Sequence, residues 1–114
     1  MGSRQSDLLQ GTLDLLILKT LALEPRHGWG IAKRIQQLSS DVLQVQQGSL
    51  YPALYRLQDR GLLRSSAAES EEGRQVRVYR LTAKGRKELQ RQSESWEALS
   101  AAVDRVLAAE PVAS

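Results

Sequence analysis

The stretch Gly48-Ser49-Leu50-Tyr51-Pro52-Ala53-Leu54-Tyr55-Arg56-Leu57-Gln58-Asp59-Arg60-Gly61 predicts one short helix with two different faces. An apolar stripe at helical spacing is formed by Leu50, Ala53, Leu54 and Leu57. We expect Ser49 to cap the start of this helix and Pro52 to lie in its first turn, where a missing N–H has no cost. Gly61 is expected to end the helix in the left-handed conformation.

The face opposite the leucines carries hydroxyls, a guanidinium and small residues. Its members are Gly48, Ser49, Pro52, Tyr55, Arg56 and Asp59, with Tyr51 at the border. Side chains of this kind at a helix start suit insertion into the major groove of DNA. The polar face of an ordinary surface helix explains the same residues, so the neighbouring segments must decide between the two.

Residues 8–23 predict a first helix that is apolar around nearly its whole circumference. A helix of this kind must be buried on most sides. In a chain of 114 residues, we expect one face to pack on its own domain and another on a partner subunit. Leu9, Leu13 and Leu16 are the candidates for a homodimer interface, and Glu24-Pro25 is expected to end the helix.

Residues 28–39 predict a second helix whose inward stripe consists of Gly28, Ile31, Ala32, Ile35 and Leu38. Lys33 lies on its polar face, and Trp29 is expected at the edge of the core. The connection 39–47 holds a short apolar patch at Val42, Leu43 and Val45, which either anchors it or adds a short strand. A helix, a connection and a polar-faced helix together indicate a helix-turn-helix.

After Gly61 the apolar period changes from helical to alternating. Residues 62–67 and 75–81 predict two strands, joined by the polar loop 68–74. A hairpin after a helix-turn-helix is a wing, and Arg74 and Arg77 are placed to enter a minor groove or to neutralise phosphate. Three acids of the loop oppose this role by repelling phosphate, namely Glu69, Glu71 and Glu72.

Thr82 is a good N-cap for a last helix that runs to about Ala109, before Pro111. Seam residues step by three and four, as in a coiled coil: Leu89, Gln92, Trp96, Leu99, Val103 and Val106. An amphipathic helix packed on its own domain gives the same pattern. Because a helix of this length spans roughly 40 Å, a small domain cannot cover all of it. We therefore assign Leu89, Trp96, Leu99, Val103 and Val106 to a dimer interface with the first helix.

Three motifs resemble those of the PadR family of transcriptional regulators. They are residues 48–54, His27-Gly28-Trp29-Gly30-Ile31 and Tyr79-Arg80-Leu81-Thr82-Ala83-Lys84-Gly85, and they occur in the family's order over roughly residues 8–107. The resemblance implies a mainly α fold with a small β-hairpin, in which a winged helix-turn-helix (1–81) precedes a long C-terminal dimerisation helix and tail (82–114). The chain departs from many members at Ser66-Ala67, where they carry a tryptophan, and this weakens the expectation that the wing contacts DNA.

Trp96 has two interpretations. Some multidrug-sensing members of the family place a tryptophan in a similar Glu-Ser-Trp context at the dimer centre, so the resemblance implies a shelf for a small aromatic effector. The alternative, which the seam spacing favours, is a large side chain that only fills the interface.

Composition excludes several classes of function. The chain has no cysteine, and its single histidine, His27, has no partner His or Cys, so it is expected to be structural. We find no phosphate loop and no nucleophile with a base, and therefore predict no enzyme and no cofactor. No apolar run approaches the roughly 20 residues of a membrane span, and a cytoplasmic protein is expected.

Net charge is only +3, but ten of the cations fall between Arg56 and Arg91. A basic cluster after a candidate recognition helix indicates a nucleic-acid binder. We therefore expect a homodimeric repressor of transcription that binds double-stranded DNA at an inverted repeat. The expected contacts are Lys33, Gln47, Ser49, Tyr51, Pro52, Tyr55, Arg56, Arg74 and Arg77. The alternative is a winged-helix module that docks a protein partner without specific DNA readout.

Overall fold

The computed structural model describes the backbone of residues 2–112 and the side chains of residues 11–112. The elements in chain order are α1 (Gly2–Leu23), β1 (Arg26–His27), α2 (Gly28–Leu38), α3 (Gln47–Asp59), β2 (Leu63–Glu69), β3 (Gln75–Leu81) and α4 (Ala83–Ala108). This confirms the mainly α winged helix-turn-helix with a long last helix. Helix α1 begins earlier than residue 8, where the apolar pattern begins.

The core lies where α1, α2 and α3 meet the base of the hairpin. Its fully buried side chains include Ile17, Leu18, Ile31, Leu50, Leu54, Leu57 and Leu62. Burial of each large aliphatic side chain contributes about 1.5–3 kcal/mol relative to leaving it in water. The stripe predicted for α3 is confirmed in full, because Leu50, Ala53, Leu54 and Leu57 are all buried. In α2 the stripe is wrong at its last residue, since Leu38 is half exposed.

A three-stranded antiparallel sheet has the order β1-β3-β2. The hairpin register pairs Leu63 with Leu81 at the base and Glu69 with Gln75 at the tip. The predicted hairpin is thus confirmed, with a shorter loop than 68–74. The third strand was not predicted, because β1 has only two residues and shows no alternation. The patch around Leu43 and Val45 adds no strand; these two side chains pack against the core as an anchor.

The two ends of α3 differ in how well they were predicted. Ser49 is not the cap: the helix begins at Gln47, and the N-cap residue Gln46 makes no side-chain capping bond. Pro52 therefore lies in the second turn, where it deprives the exposed Gly48 carbonyl of a helical partner. The other end is confirmed. Gly61 has φ +77°, and the Leu62 N–H donates to the Leu57 carbonyl at 2.9 Å, which is the bonding of a Schellman motif.

Helix α4 begins at the cap that the sequence predicts. The Thr82 hydroxyl accepts from the Gly85 N–H at 3.0 Å and lies 2.7 Å from the Gly61 carbonyl, to which it donates. The beginning of α4 is packed on the protomer, where Leu89 is partly buried against the core. Farther along, the apolar seam residues of α4 are about half exposed or more among the described residues, and the molecule extends 69 Å along its longest axis.

Candidate nucleic-acid interface

The outward face of α3 is polar and open. Gln47, Ser49 and Pro52 are exposed, and the Tyr55 side chain is 76% exposed. Because the four apolar residues on the opposite side are buried, the helix cannot turn without disrupting the core. Ser49, Pro52 and Tyr55 share one side of the helix, where the sequence analysis placed them. Gln47, which was expected just ahead of the helix, is its first residue.

Tyr51 is seated at the junction of α2 and α3. A Cβ atom on Gly28 would lie 2.9 Å from the Tyr51 Cε1 atom and 3.1 Å from its hydroxyl oxygen, so the ring packs directly over the start of α2. The neighbouring His27 caps α2, since its Nδ1 accepts from the Gly30 N–H at 3.1 Å. The expected structural role of His27 is thereby confirmed. Tyr51 as a whole is 45% exposed, and its hydroxyl lies beside the start of α2.

Arg56 does not extend freely from the exposed face of α3. Its Nη2 atom donates to Asp14 Oδ1 of α1 at 3.0 Å, and its side chain is 39% exposed while that of Asp14 is 19% exposed. Burial raises the pKa of Asp14, and the nearby Arg56 partly offsets this. The sequence offered no signal for this pair, because its members are 42 residues apart. Any contact of the Arg56 Nη2 atom with DNA therefore competes with its bond to Asp14.

The C-terminal end of α3 is tied to α4 through Glu88. This carboxylate accepts from Arg91 at 2.7 Å, from Gln92 at 2.7 Å and from Arg60 at 3.4 Å. The hydrogen bonds from Arg91 and Gln92 lower the pKa of Glu88 to about 2. In addition, the Lys84 ammonium donates to the Arg60 carbonyl at 2.9 Å. Arg60 is thus engaged by α4, as Arg56 is by α1.

The wing carries one arginine at its tip and one on its inner face. Arg74 is exposed beside a turn in which Gly73 has φ +79° and the Arg74 N–H donates to the Ser70 hydroxyl at 3.1 Å. Arg77 donates to the Ser65 hydroxyl at 3.1 Å, and that hydroxyl donates to the Gln58 side chain of α3 at 2.9 Å. A polar chain that the sequence did not reveal therefore joins the wing to the recognition helix.

On the outer face of the wing, Arg64 lies directly opposite Arg80 in the β2–β3 register, and both are exposed. Like charges at directly opposed positions repel, and an anion placed between them would relieve this repulsion. The acids Glu71 and Glu72 are exposed near the tip, at the other end of the hairpin. The wing is therefore basic at its base and mixed in charge at its tip.

Lys33 lies on the outer side of α2, at a shallow cavity of about 330 Å³ that Trp29 and Asp41 also line. Trp29 was expected to pack at the edge of the core, but 54% of its surface is exposed to solvent. Within the described part of the chain, neither the Lys33 ammonium nor the Arg74 guanidinium has an acidic partner. These two cations remain available to an anion.

The predicted dimer residues fall into three groups. Leu13 is 4% exposed and Leu16 is packed against the core, so Leu13 serves its own protomer and is not available to a partner as expected. The side chain of Leu9 lies outside the described residues. On α4 the apolar side chains of the seam are open: Trp96 is 47% exposed, Leu99 56%, Val103 46% and Val106 74%.

Among the described residues, no cluster of three or more His, Cys, Asp or Glu side chains could hold a metal ion. None of the helices in that same part of the chain is long and apolar enough to cross a membrane.

Residues 17–91 match the model of the transcriptional regulator PadR-like family. The chain belongs to the PadR-like family of transcriptional regulators. PadR-family regulators of known structure have the same architecture. A transcriptional regulator from Clostridium thermocellum is 26% identical with a TM-score of 0.79, over 87% of this chain and 96% of that one. The PadR-like regulator of Bacillus cereus is 28% identical with a TM-score of 0.78, over 91% and 99%.

The PadR-family regulator of Eggerthella lenta is 28% identical with a TM-score of 0.77, and the match covers 96% of this chain and 93% of that one. The matched family and these structural relatives are transcriptional regulators and not enzymes, as the sequence analysis predicted. The three motifs that carried the resemblance occupy the start of α2, the start of α3 and the junction of β3 with α4.

Proposed function

We propose that this PadR-family chain is a sequence-specific DNA-binding repressor that acts in the cytoplasm as a homodimer on an inverted repeat. The observation that carries the proposal is the α3 face, where Gln47, Ser49 and Tyr55 are exposed over a fully buried opposite side. Amide and hydroxyl groups on such a helix can bond to base edges in a major groove. In a dimer, two copies of α3 would enter successive grooves about 34 Å apart.

Contacts to the phosphate backbone come from groups on either side of α3. Among the described residues, Lys33 of α2 and Arg74 of the wing tip have no acidic partner. The hydroxyl of Tyr51, on α3 itself, lies beside the start of α2, and Arg77 of the wing is linked to α3 through Ser65. Phosphate contacts of this kind set register and affinity without reading sequence. Pro52 adds a rigid apolar surface to the exposed face, and Arg56 is a reader of guanine only once Asp14 has released it.

The first test is fluorescence anisotropy with DNA from upstream of the protein's own gene and a scrambled duplex, at several salt concentrations. Binding at least ~10³-fold tighter to the upstream DNA supports a sequence-specific regulator. Lys33→Ala should weaken both duplexes alike and reduce the slope of log K against log salt by about 0.9 for each lysine lost from the complex. Arg105→Ala, in the last turn of α4, is the matched control and should leave the slope unchanged.

Weak, equal and salt-sensitive binding to both duplexes would contradict specific readout from this DNA. A complete lack of salt-dependent binding would favour the alternative, a module that docks a protein partner, which the exposed acids of the wing loop support. In that case a pull-down that compares the wild-type protein with Tyr55→Ala tests whether the α3 face binds the partner.

The homodimer rests on the uncovered seam of α4. A second copy that packs α4 against α1 would cover Trp96, Leu99, Val103 and Val106, which a stable monomer would leave in water. Val103→Glu should convert the dimer to a monomer in sedimentation equilibrium, since it places a charge in the seam. Ala101→Glu is exposed on the other side of α4 and should leave the mass unchanged. Equal masses for both variants would refute this interface.

Trp96 is the candidate contact for a small aromatic effector within that seam. Tryptophan fluorescence titrated with planar aromatic dyes tests this role, and Trp29→Phe removes the other, also exposed, tryptophan from the signal. Quenching that lowers DNA affinity would support an effector. If the dyes do not quench Trp96 while DNA binding is intact, Trp96 only fills the interface.

A further inference from the structure

Both arginines in the C-terminal half of the recognition helix are engaged by carboxylates of other helices. Asp14 of α1 accepts from Arg56 at 3.0 Å, and Glu88 of α4 accepts from Arg60 at 3.4 Å. The two pairs differ in burial and in sharing. Arg60 is half exposed and competes with Arg91 for Glu88, whereas Arg56 is the only side chain that donates to Asp14 in the described part of the chain.

Separating the Asp14 carboxylate from Arg56 costs free energy. Its side chain is only 19% exposed, so water solvates it poorly once Arg56 leaves. Removing one member of a partly buried ion pair leaves an uncompensated charge, which is more costly than breaking an exposed pair. Asp14 therefore competes with any DNA phosphate that approaches α3 for the guanidinium of Arg56.

We propose that Asp14 is a positioning residue that withholds Arg56 from DNA phosphates and so limits sequence-independent DNA affinity. The proposal rests on the proposed DNA-binding function, which it deepens. With Asp14 in place, α3 presents amides and hydroxyls to any duplex but keeps its Arg56 charge neutralised. Specific contacts then contribute a larger share of the total affinity, because the general attraction to phosphate is smaller.

The test measures binding to a scrambled duplex, so the operator need not be known. The variants are Asp14→Asn, which removes the charge at nearly constant shape, Arg56→Ala, and the two combined. Each arginine released to phosphate should steepen the salt dependence by about 0.9 in log K per log salt, which is about eightfold tighter binding at 0.1 M salt relative to an unchanged value at 1 M. Arg56→Ala alone is the reference with which the double variant is compared.

Two comparisons separate this role from a general effect of charge or folding. The gain from Asp14→Asn should be largely lost in the Arg56→Ala background, since Arg60, whose charge also acts on Asp14, stays hydrogen-bonded to Glu88. Glu97→Gln changes the net charge by the same amount as Asp14→Asn. Because Glu97 lies about 13 Å farther along α4 than Glu88, this variant should leave the salt slope unchanged. Asp14→Glu keeps the charge and should restore wild-type binding. Urea unfolding checks that each variant is folded, and Asp14→Ala replaces Asp14→Asn if the latter is not.

An unchanged salt slope in Asp14→Asn, or a gain that persists without Arg56, would overturn the proposal while leaving DNA binding intact. A wild-type protein that shows no salt-dependent affinity for any duplex would overturn the proposed function and this inference with it. A gain that requires Arg56 and steepens the salt slope is the supporting result.

Discussion

Gly85→Ala should strongly destabilise the fold, although alanine is the better helix former. Gly85 is buried in the first turn of α4, and a Cβ there would lie 2.2 Å from the Leu62 carbonyl oxygen and 2.6 Å from Leu81 Cδ1. A carbon normally lies at least about 3.3 Å from a carbonyl oxygen, so the helix start must move by roughly 1 Å. The obstacle is backbone and cannot rotate away.

The movement also breaks bonds that hold the helix start in place. The Leu62 carbonyl accepts from the Thr82 N–H at 3.1 Å, and at 3.0 Å it shares the hydrogen of the Thr82 hydroxyl with the Gly61 carbonyl. Two such bonds are worth about 1 kcal/mol each, and overpacking costs about 1–3 kcal/mol more. The gain in helix propensity returns about 1 kcal/mol. The expected net loss is about 3 kcal/mol, or roughly 12 °C in Tm for a domain of this size.

Urea and thermal unfolding, followed by circular dichroism at one fixed protein concentration, measure this loss. Gly11→Ala is the matched control, because Gly11 lies inside α1 and, among the described residues, no atom outside its own stretch of helix backbone comes within 4 Å of its Cβ position. It should stabilise the protein by about 0.5–1 kcal/mol. A Gly85→Ala variant as stable as the wild type would refute the reasoning, since it would show that the junction of β3 and α4 tolerates a side chain.

Three further predictions concern the Thr82 cap of α4, the hydrogen bonds of Glu88 and the packing of Tyr51 against Gly28. Thr82→Ala should cost about 1–2 kcal/mol of unfolding free energy by removing the α4 cap, whereas Thr82→Ser should retain most of it; equal losses in urea unfolding would contradict this. Glu88, with its pKa lowered from 4.5 to about 2, contributes stability that is present above pH 4.5 and is lost as pH falls toward 2. Glu88→Gln should therefore show a flatter fall of unfolding free energy over that range, and parallel pH profiles would exclude the role. Gly28→Ala should displace the Tyr51 ring and weaken DNA binding by about tenfold in anisotropy, the value of one hydrogen bond to a charged group, and Tyr51→Phe should match it if the hydroxyl makes the contact.

Local patterns allowed the helices and the hairpin to be predicted, because these depend on spacing along the chain. The stripe of α3, the left-handed Gly61 and the Thr82 cap each involve residues within about one or two helical turns. The same reasoning failed at Ser49, because the helix begins two residues earlier, after an N-cap residue, Gln46, whose side chain makes no capping bond. It also failed for β1, whose two residues become a strand only through their partners in β3.

The sequence by itself determined which face of α3 is buried and which is exposed, because the apolar period leaves one choice. Only the tertiary structure decided what the charged side chains do. Arg56 appeared on the exposed face by its position in the helix, yet α1 brings Asp14 within 3.0 Å of it. Arg77 likewise donates to the hydroxyl of Ser65 on the neighbouring strand β2, and that hydroxyl donates to Gln58 of α3. A helix period places Cα and Cβ atoms, but a long arginine side chain ends several ångströms away, where its partner comes from a distant part of the chain.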